Sequence, residues 1–182
     1  VVAVIYTHSH TDHYGGVRGV VDEADVRAGR VPVLAPDRFM AEVVSEAVIA
    51  GTPMVRRAQF QFGATLPRGP RGQVDAGLGK VTSRGTVTLI PPTVTIAQPF
   101  ETHRLDGVEI VFQLTPETEA PAEMQMFYPE RRALNLAAGE QIGERAPSLG
   151  RVENVVLGDA LPGQLAARAG DLVLEVNELL FA

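Results

Sequence analysis

Residues 1–16 read VVAVIYTHSHTDHYGG, an apolar run followed at once by three histidines and an aspartate. The first six residues are β-branched or apolar and suit a short strand buried on both faces. The polar stretch from Thr7 to His13 then breaks the strand, and Gly15 and Gly16 open the way into a helix. Strand, ligand loop and helix start are the expected local structure.

Within that loop His8 and His10 are two apart in an extended segment, so both imidazoles project to one side and can reach one ion. Asp12 and His13 fall where the chain turns and can face a second ion beside the first. Zinc accepts imidazole nitrogen and carboxylate oxygen, and two zinc ions a few ångströms apart can share a bridging hydroxide. A single histidine is ordinarily a surface or satisfied core residue. Here three of the four histidines in the chain fall within six residues, directly after an apolar strand, and a metal-ligand cluster is the reading that spacing favours.

The rest of the chain continues a β-α-β-α rhythm. Residues 17–29 read as a helix end or loop, and residues 31–35 (VPVLA) as a second buried strand. Residues 37–49 carry Phe39, Met40, Val43, Val44 and Val48 at helical spacing, with Pro36 and Asp37 as the start. Residues 63–85 are crowded with Gly69, Gly72, Gly77, Gly79 and Gly85, a run too long for an inert connection and expected to form a functional surface loop or flap. Strands are expected at 86–90 (TVTLI), 93–96 (TVTI), 108–114 (VEIVFQL), 124–128 and 133–137, with turns at Asp106-Gly107 and Pro129-Glu130.

The 182 residues are 45% hydrophobic, enough for one domain, or one domain plus a fragment. The formal net charge is −6 and no block of Lys and Arg gathers, which argues against nucleic acid as a partner. There is no cysteine, so a metal must be held by His, Asp and Glu. No apolar run approaches the roughly 18 residues that span a bilayer, and the first residues lack the charged and apolar regions of a signal peptide. Because the chain begins at Val1 inside a strand, its true N-terminus, and any signal peptide, is expected to lie outside it.

His-X-His-X-Asp-His at residues 8–13 resembles the signature of the metallo-β-lactamase superfamily. The narrower resemblance is to its zinc-dependent alkyl sulfatases, and it rests on YTHSHTDHYGGVRGVVDEADV at 6–26, RGPRGQVDAGLGK at 68–80, GTVTLIPPT at 85–93 and VFQLTPETEAPAEM at 111–124. These stretches occur in order and spread over about three quarters of the chain. The resemblance implies a partial αββα sandwich of the α/β (α+β) class: two mixed sheets facing each other, helices outside, and the metals at one edge. It also implies hydrolysis of alkyl sulfate esters to alcohol and sulfate, two Zn2+ ions in the parent family, His8, His10, Asp12, His13 and Glu119 as ligands, and a catalytic part for Asp12. Read without the resemblance, Glu119 and Glu123 are ordinary solvated loop acids.

The same resemblance places the glycine-rich loop near the substrate entrance, with Arg71, Gln73, Gly77 and Gly79 as substrate-binding residues. Arg68, Arg71, Lys80 and Arg84 suit an anionic sulfate, while a solvated mobile loop is an equal alternative. The partner is then a small-molecule sulfate ester. The parent family is homodimeric, and a periplasmic or secreted location fits it.

Departures from the family begin after Leu136. The family's metal-bridging glutamate falls on Ala138, with Ala137 and Gly139 beside it; Glu140 is two residues on, and no histidine follows His103. The second metal therefore keeps only Asp12 and His13, and one ion or fewer is expected. Residues 1–138 form the catalytic-type domain and 139–182 a divergent tail, in which 166–181 is similar to a short run of PDZ domains. Alternatives are another hydrolase of this fold, of lactonase, β-lactamase or thioesterase type, or a non-catalytic remnant.

Four further residues or pairs complete the reading. Arg56 and Arg57 are expected at a helix C-terminus, where cations are favoured. Phe60 and Phe62 are expected to pack in a core as a strand face or flap. His103 is expected on the surface in a turn, and Tyr14 to line the pocket or pack on the sheet.

Overall fold

A computed structural model describes residues 1–76 and 85–136, together with the backbone of Asn154–Leu157 and Ala167–Arg168. Gly77, Gly79, Lys80, Arg84, Ala138 and Glu140 lie outside the described residues, as does the boundary between residues 138 and 139.

Three short strands, β1 (Val4–Ile5), β2 (Val33–Pro36) and β3 (Val94–Ile96), form a parallel sheet in that order. The apolar alternation of β2 explains its central place. Val33 and Ala35 point into one core with Tyr6, Tyr14, Val26, Phe39 and Ile90, whereas Leu34 points the other way, into a second core with Ile96. All four β2 residues are buried, as a strand covered on both faces must be.

The second core closes against a larger sheet. β4 (Glu101–Leu105), β5 (Val108–Leu114), β6 (Met124–Tyr128) and β7 (Ala133–Leu136) run antiparallel, and the backbone of β8 (Asn154–Leu157) and β9 (Ala167–Arg168) continues the sheet beyond β7. Alternate residues Ile110 and Phe112 of β5 and Met124 and Met126 of β6 meet Leu34 and Ile96 across the gap. Two facing sheets with helices outside the smaller one are the expected sandwich, and it is partial. All α-helices of the described residues precede Gly63.

The helical layer is built from α1 (Thr11–Tyr14), α2 (Glu23–Arg27), α3 (Phe39–Val43), a π-helical turn (Val44–Ile49) and α4 (Gly51–Phe62). Asp22 caps α2 by accepting the Ala24 N–H at 2.9 Å. Phe39 of α3 stacks on Tyr6, with ring centroids 4.9 Å apart, and meets Tyr14 edge-on at 5.7 Å. Tyr14 is thus a packing residue and is buried.

Several local expectations are corrected. Residues 60–62 belong to α4, not to a strand, and Phe60 is 93% exposed. Arg56 and Arg57 stand in the middle of α4, not past a helix end, and no residue of α4 is buried. Residues 86–90 form no ladder. Instead Thr88 donates its N–H and its hydroxyl to the Gly15 carbonyl at 2.8 and 3.0 Å, and the Ile90 carbonyl accepts the Tyr6 hydroxyl at 3.0 Å. The segment is therefore a strap over the loop that follows the histidines, with the Thr88 N–H and the Ile90 carbonyl satisfied outside any sheet. His103 lies in β4, opposite Ile110, and not in the turn, which is Asp106-Gly107 as expected.

Candidate metal centre

The histidine loop is fixed from below by the sheet. Tyr6 donates its backbone N–H to the Leu34 carbonyl at 2.9 Å, and the Thr7 carbonyl accepts the Met124 N–H at 2.9 Å. His8 then bridges to Glu123 across the start of β6. These contacts carry the loop from the smaller sheet to the larger one, at the edge of the sandwich.

His8 is fully buried. Its Nδ1 is hydrogen bonded to the Thr7 hydroxyl at 3.0 Å, while its Nε2 has no hydrogen-bond partner. Burial, reinforced by His13 and His10 nearby, pushes the imidazole down to about 3, so near neutral pH it is uncharged. A buried neutral imidazole with an unsatisfied nitrogen is costly unless something takes its lone pair.

Two side chains lie close to His8. The His8 and His10 rings meet edge-on at 4.7 Å, and His10 Nδ1 lies 3.5 Å from Glu119 Oε1. One ligand atom from each of His8, His10 and Glu119 lies within 4.8 Å of the other two. Zinc bonds of about 2.1 Å at a tetrahedral angle separate neighbouring ligands by about 3.4 Å, so the His10–Glu119 spacing fits two ligands of one ion. The donor set, two imidazoles and a carboxylate, also fits.

Glu119 is presented by a tight loop between β5 and β6. Thr115 donates its N–H to the Glu123 carbonyl at 2.9 Å, Glu117 has a positive φ of 64°, and Glu123 Oε2 accepts the Glu119 and Ala120 N–H groups at 3.0 Å. Glu123 is 1% exposed and so is not the solvated loop acid that a reading of the residues alone expects. Burial raises the Glu119 carboxyl above its ordinary range; His10 and His13 oppose this, and Glu123 and Asp12 add to it.

Asp12 and His13 sit differently. Because α1 begins at Thr11, Asp12 turns outward and its side chain is 83% exposed, 3.5 Å from His13 Nε2. The His13 ring packs on His8 with centroids 4.2 Å apart. The three histidines thus cluster, with Glu119 joining His8 and His10 and Asp12 on the open side.

Of the residues expected at the substrate entrance, Arg71 is exposed. Gln73 is buried and donates its side-chain amide to the Phe62 carbonyl at 2.7 Å, capping α4. Gly77 and Gly79 lie outside the described residues. His103 pairs with Glu101 at 2.8 Å and is apart from the cluster. Two acids escaped the sequence reading: Glu123, whose signal was its place in the Thr-Glu-Ala-Pro-Ala-Glu-Met run, and Glu46, 3.7 Å from His10 Nε2, for which the sequence offered none.

Comparison with known proteins agrees with this geometry. The model of the metallo-beta-lactamase superfamily matches residues 1–123. The chain is 58% identical over 137 residues to a linear primary-alkylsulfatase of Pseudomonas sp, covering 75% of this chain and 20% of that protein. It is 55% identical over 134 residues to an alkyl/aryl-sulfatase of Saccharomyces cerevisiae, covering 74% and 21%. The solved structure of a stereoselective inverting sec-alkylsulfatase from Pseudomonas sp. superposes with a TM-score of 0.68 at 52% identity, over 75% of this chain and 22% of that one. The chain therefore spans about a fifth of the length of these relatives. With the family model matching two thirds of its length and the histidine cluster at the sandwich edge, the chain belongs to the metallo-beta-lactamase superfamily.

Proposed function

We propose that this chain carries the first metal site of an alkyl-sulfatase-type hydrolase, with His8, His10 and Glu119 holding one Zn2+. The observation that supports it most is that one ligand atom from each of His8, His10 and Glu119 lies within 4.8 Å of the other two, beside a fully buried His8 whose Nε2 has no hydrogen-bond partner. Zinc bound there supplies Lewis acidity toward a sulfate oxygen and lowers the pKa of a coordinated water. His8 stays neutral through burial and offers a permanent lone pair. Asp12 and His13 face the solvent side, where the second ion of a two-metal site and the catalytic part of Asp12 would lie. Arg71, exposed on the glycine-rich loop, offsets the charge of an approaching sulfate ester; Gln73 is turned instead to the Phe62 carbonyl, and Gly77 and Gly79 are assigned to substrate binding by the resemblance alone.

The substrate class is an alkyl sulfate ester, by similarity to the alkylsulfatases, which are 53–58% identical to this chain over 134–138 residues. Ala138 at the position of the family's bridging glutamate favours one ion or fewer and weak or no turnover. Elemental analysis together with sulfate release from a primary and a secondary alkyl sulfate tests this. One zinc per chain with turnover gained in Ala138→Glu supports the reading; two zinc ions overturn the incomplete site, and none overturns the enzyme.

A further inference from the structure

We propose that Glu46 is a positioning residue for His10, taking the Nε2–H of the ring and so committing Nδ1 to the metal. The inference rests on the metal reading above. The His10 ring lies between two carboxylates: Nδ1 is 3.5 Å from Glu119 Oε1, and Nε2 is 3.7 Å from Glu46 Oε2. A neutral imidazole has one lone pair and one N–H. Glu119, the carboxylate of the proposed ligand set, lies on the Nδ1 side, so the lone pair is needed there and the proton belongs on Nε2, facing Glu46.

His8 meets the same requirement with its nitrogens exchanged. The Thr7 hydroxyl engages Nδ1, and Nε2 is the partnerless atom. Ligating histidines generally have their second nitrogen held by an oxygen, which fixes the tautomer and ring orientation. In His10 Glu46 fills the place that Thr7 fills in His8. Reaching hydrogen-bond length from 3.7 Å takes a closure of roughly 0.7 Å.

The backbone around Glu46 independently singles it out. Residues Val44–Ile49 form a π-helical turn, closed by the Ala50 N–H on the Ser45 carbonyl at 2.9 Å, and every residue of that turn is exposed except Glu46. Apolar packing does not hold the turn in place, because Val44, Val48 and Ile49 all face solvent. Single π-turns inside helices recur at functional sites, where the wider turn re-aims a side chain. Here the side chain it aims inward is the one at His10.

Zinc affinity of the full 182-residue chain, measured by competition with a chromophoric chelator, tests the role. Glu46→Ala is expected to weaken zinc binding roughly 10- to 100-fold, and Glu46→Gln to recover part of the loss because its amide oxygen still accepts. In the metal-free protein, nitrogen-15 NMR of His10 is expected to show the Nε2–H tautomer, and Glu46→Ala to mix the two tautomers. Glu119→Ala is titrated alongside. If it loses zinc while Glu46→Ala stays within about twofold of the parent chain, the Glu46 role is overturned and the metal site stands. If neither substitution changes the affinity, the metal site and the Glu46 role fall together.

Discussion

Glu123 Oε2 accepts the backbone N–H of Glu119 at 3.0 Å, and that of Ala120 at the same distance, so one buried acid holds the backbone of another acid at the metal cluster. Glu123 is at the same time paired through its backbone with His8. Glu123 therefore ties together two halves of the candidate site, His8 and Glu119, that are 111 residues apart in sequence. Glu123→Ala leaves two N–H groups without their acceptor, at about 1–3 kcal/mol for each that stays unsatisfied. Thermal denaturation should show a marked loss of stability for Glu123→Ala and a smaller one for Glu123→Gln, whose amide oxygen can still accept. An alanine variant as stable as the parent chain would remove Glu123 from this role.

What the sequence made legible follows from period and proximity. His8 and His10 sit two apart, and the period of an extended chain alone brings their rings to one side. The inner faces of β5 and β6 were likewise written as alternation. Glu46 was illegible because its partner is 36 residues away and the π-turn that aims it has no sequence signature. Phe60 and Phe62 misled for a related reason: a two-residue spacing of aromatics fits a strand face, but only tertiary packing decides whether any face is covered. Residues 86–90 have strand composition, yet the strand partners they would need are replaced by Gly15 and Tyr6.

Exposure separates two phenylalanines that look equivalent in the sequence. Phe39 is 2% exposed and stacked on Tyr6, so Phe39→Ala should cost about 3–5 kcal/mol. Phe60 is 93% exposed on α4, and Phe60→Ser should change stability by no more than about 0.5 kcal/mol. Urea unfolding of the two variants provides the comparison. A large loss for Phe60→Ser would mean that α4 packs differently in solution.

The acid limb of stability should depend on Glu101. Its carboxylate accepts from His103 Nε2 at 2.8 Å and from the Ala97 and Gln98 N–H groups at 3.1 and 3.3 Å. The His103 hydrogen bond is the largest cause holding its carboxyl below the ordinary range; partial burial opposes it and the two backbone bonds assist. A depressed folded-state value means that the unfolded chain binds the proton more readily, so this contribution is fully present above the ordinary value of 4.5. It is lost as pH falls through the lower folded-state value. Glu101→Gln should therefore be less stable than the parent chain at pH 7, with the gap narrowing on acidification below about 4.5. A gap that is constant with pH would exclude the linkage.

Zinc should stabilise the fold through three side chains and not through a fourth. A ligand present at 100 times its dissociation constant adds about 2.7 kcal/mol if it binds only the folded state, which raises the melting temperature and is reversed by a chelator. His8→Ala and Glu119→Gln each remove a donor from the group in which all three ligand atoms lie within 4.8 Å, and both should abolish most of the zinc-dependent shift. His8→Ala also leaves a void, so each variant must be compared with its own metal-free melting temperature and not with that of the parent chain. Asp12 is 83% exposed and outside that group, so Asp12→Ala should retain most of the shift. The opposite ranking, with Asp12→Ala the most damaging, would place the tighter ion on the Asp12–His13 side and make the His8–His10–Glu119 set the secondary one.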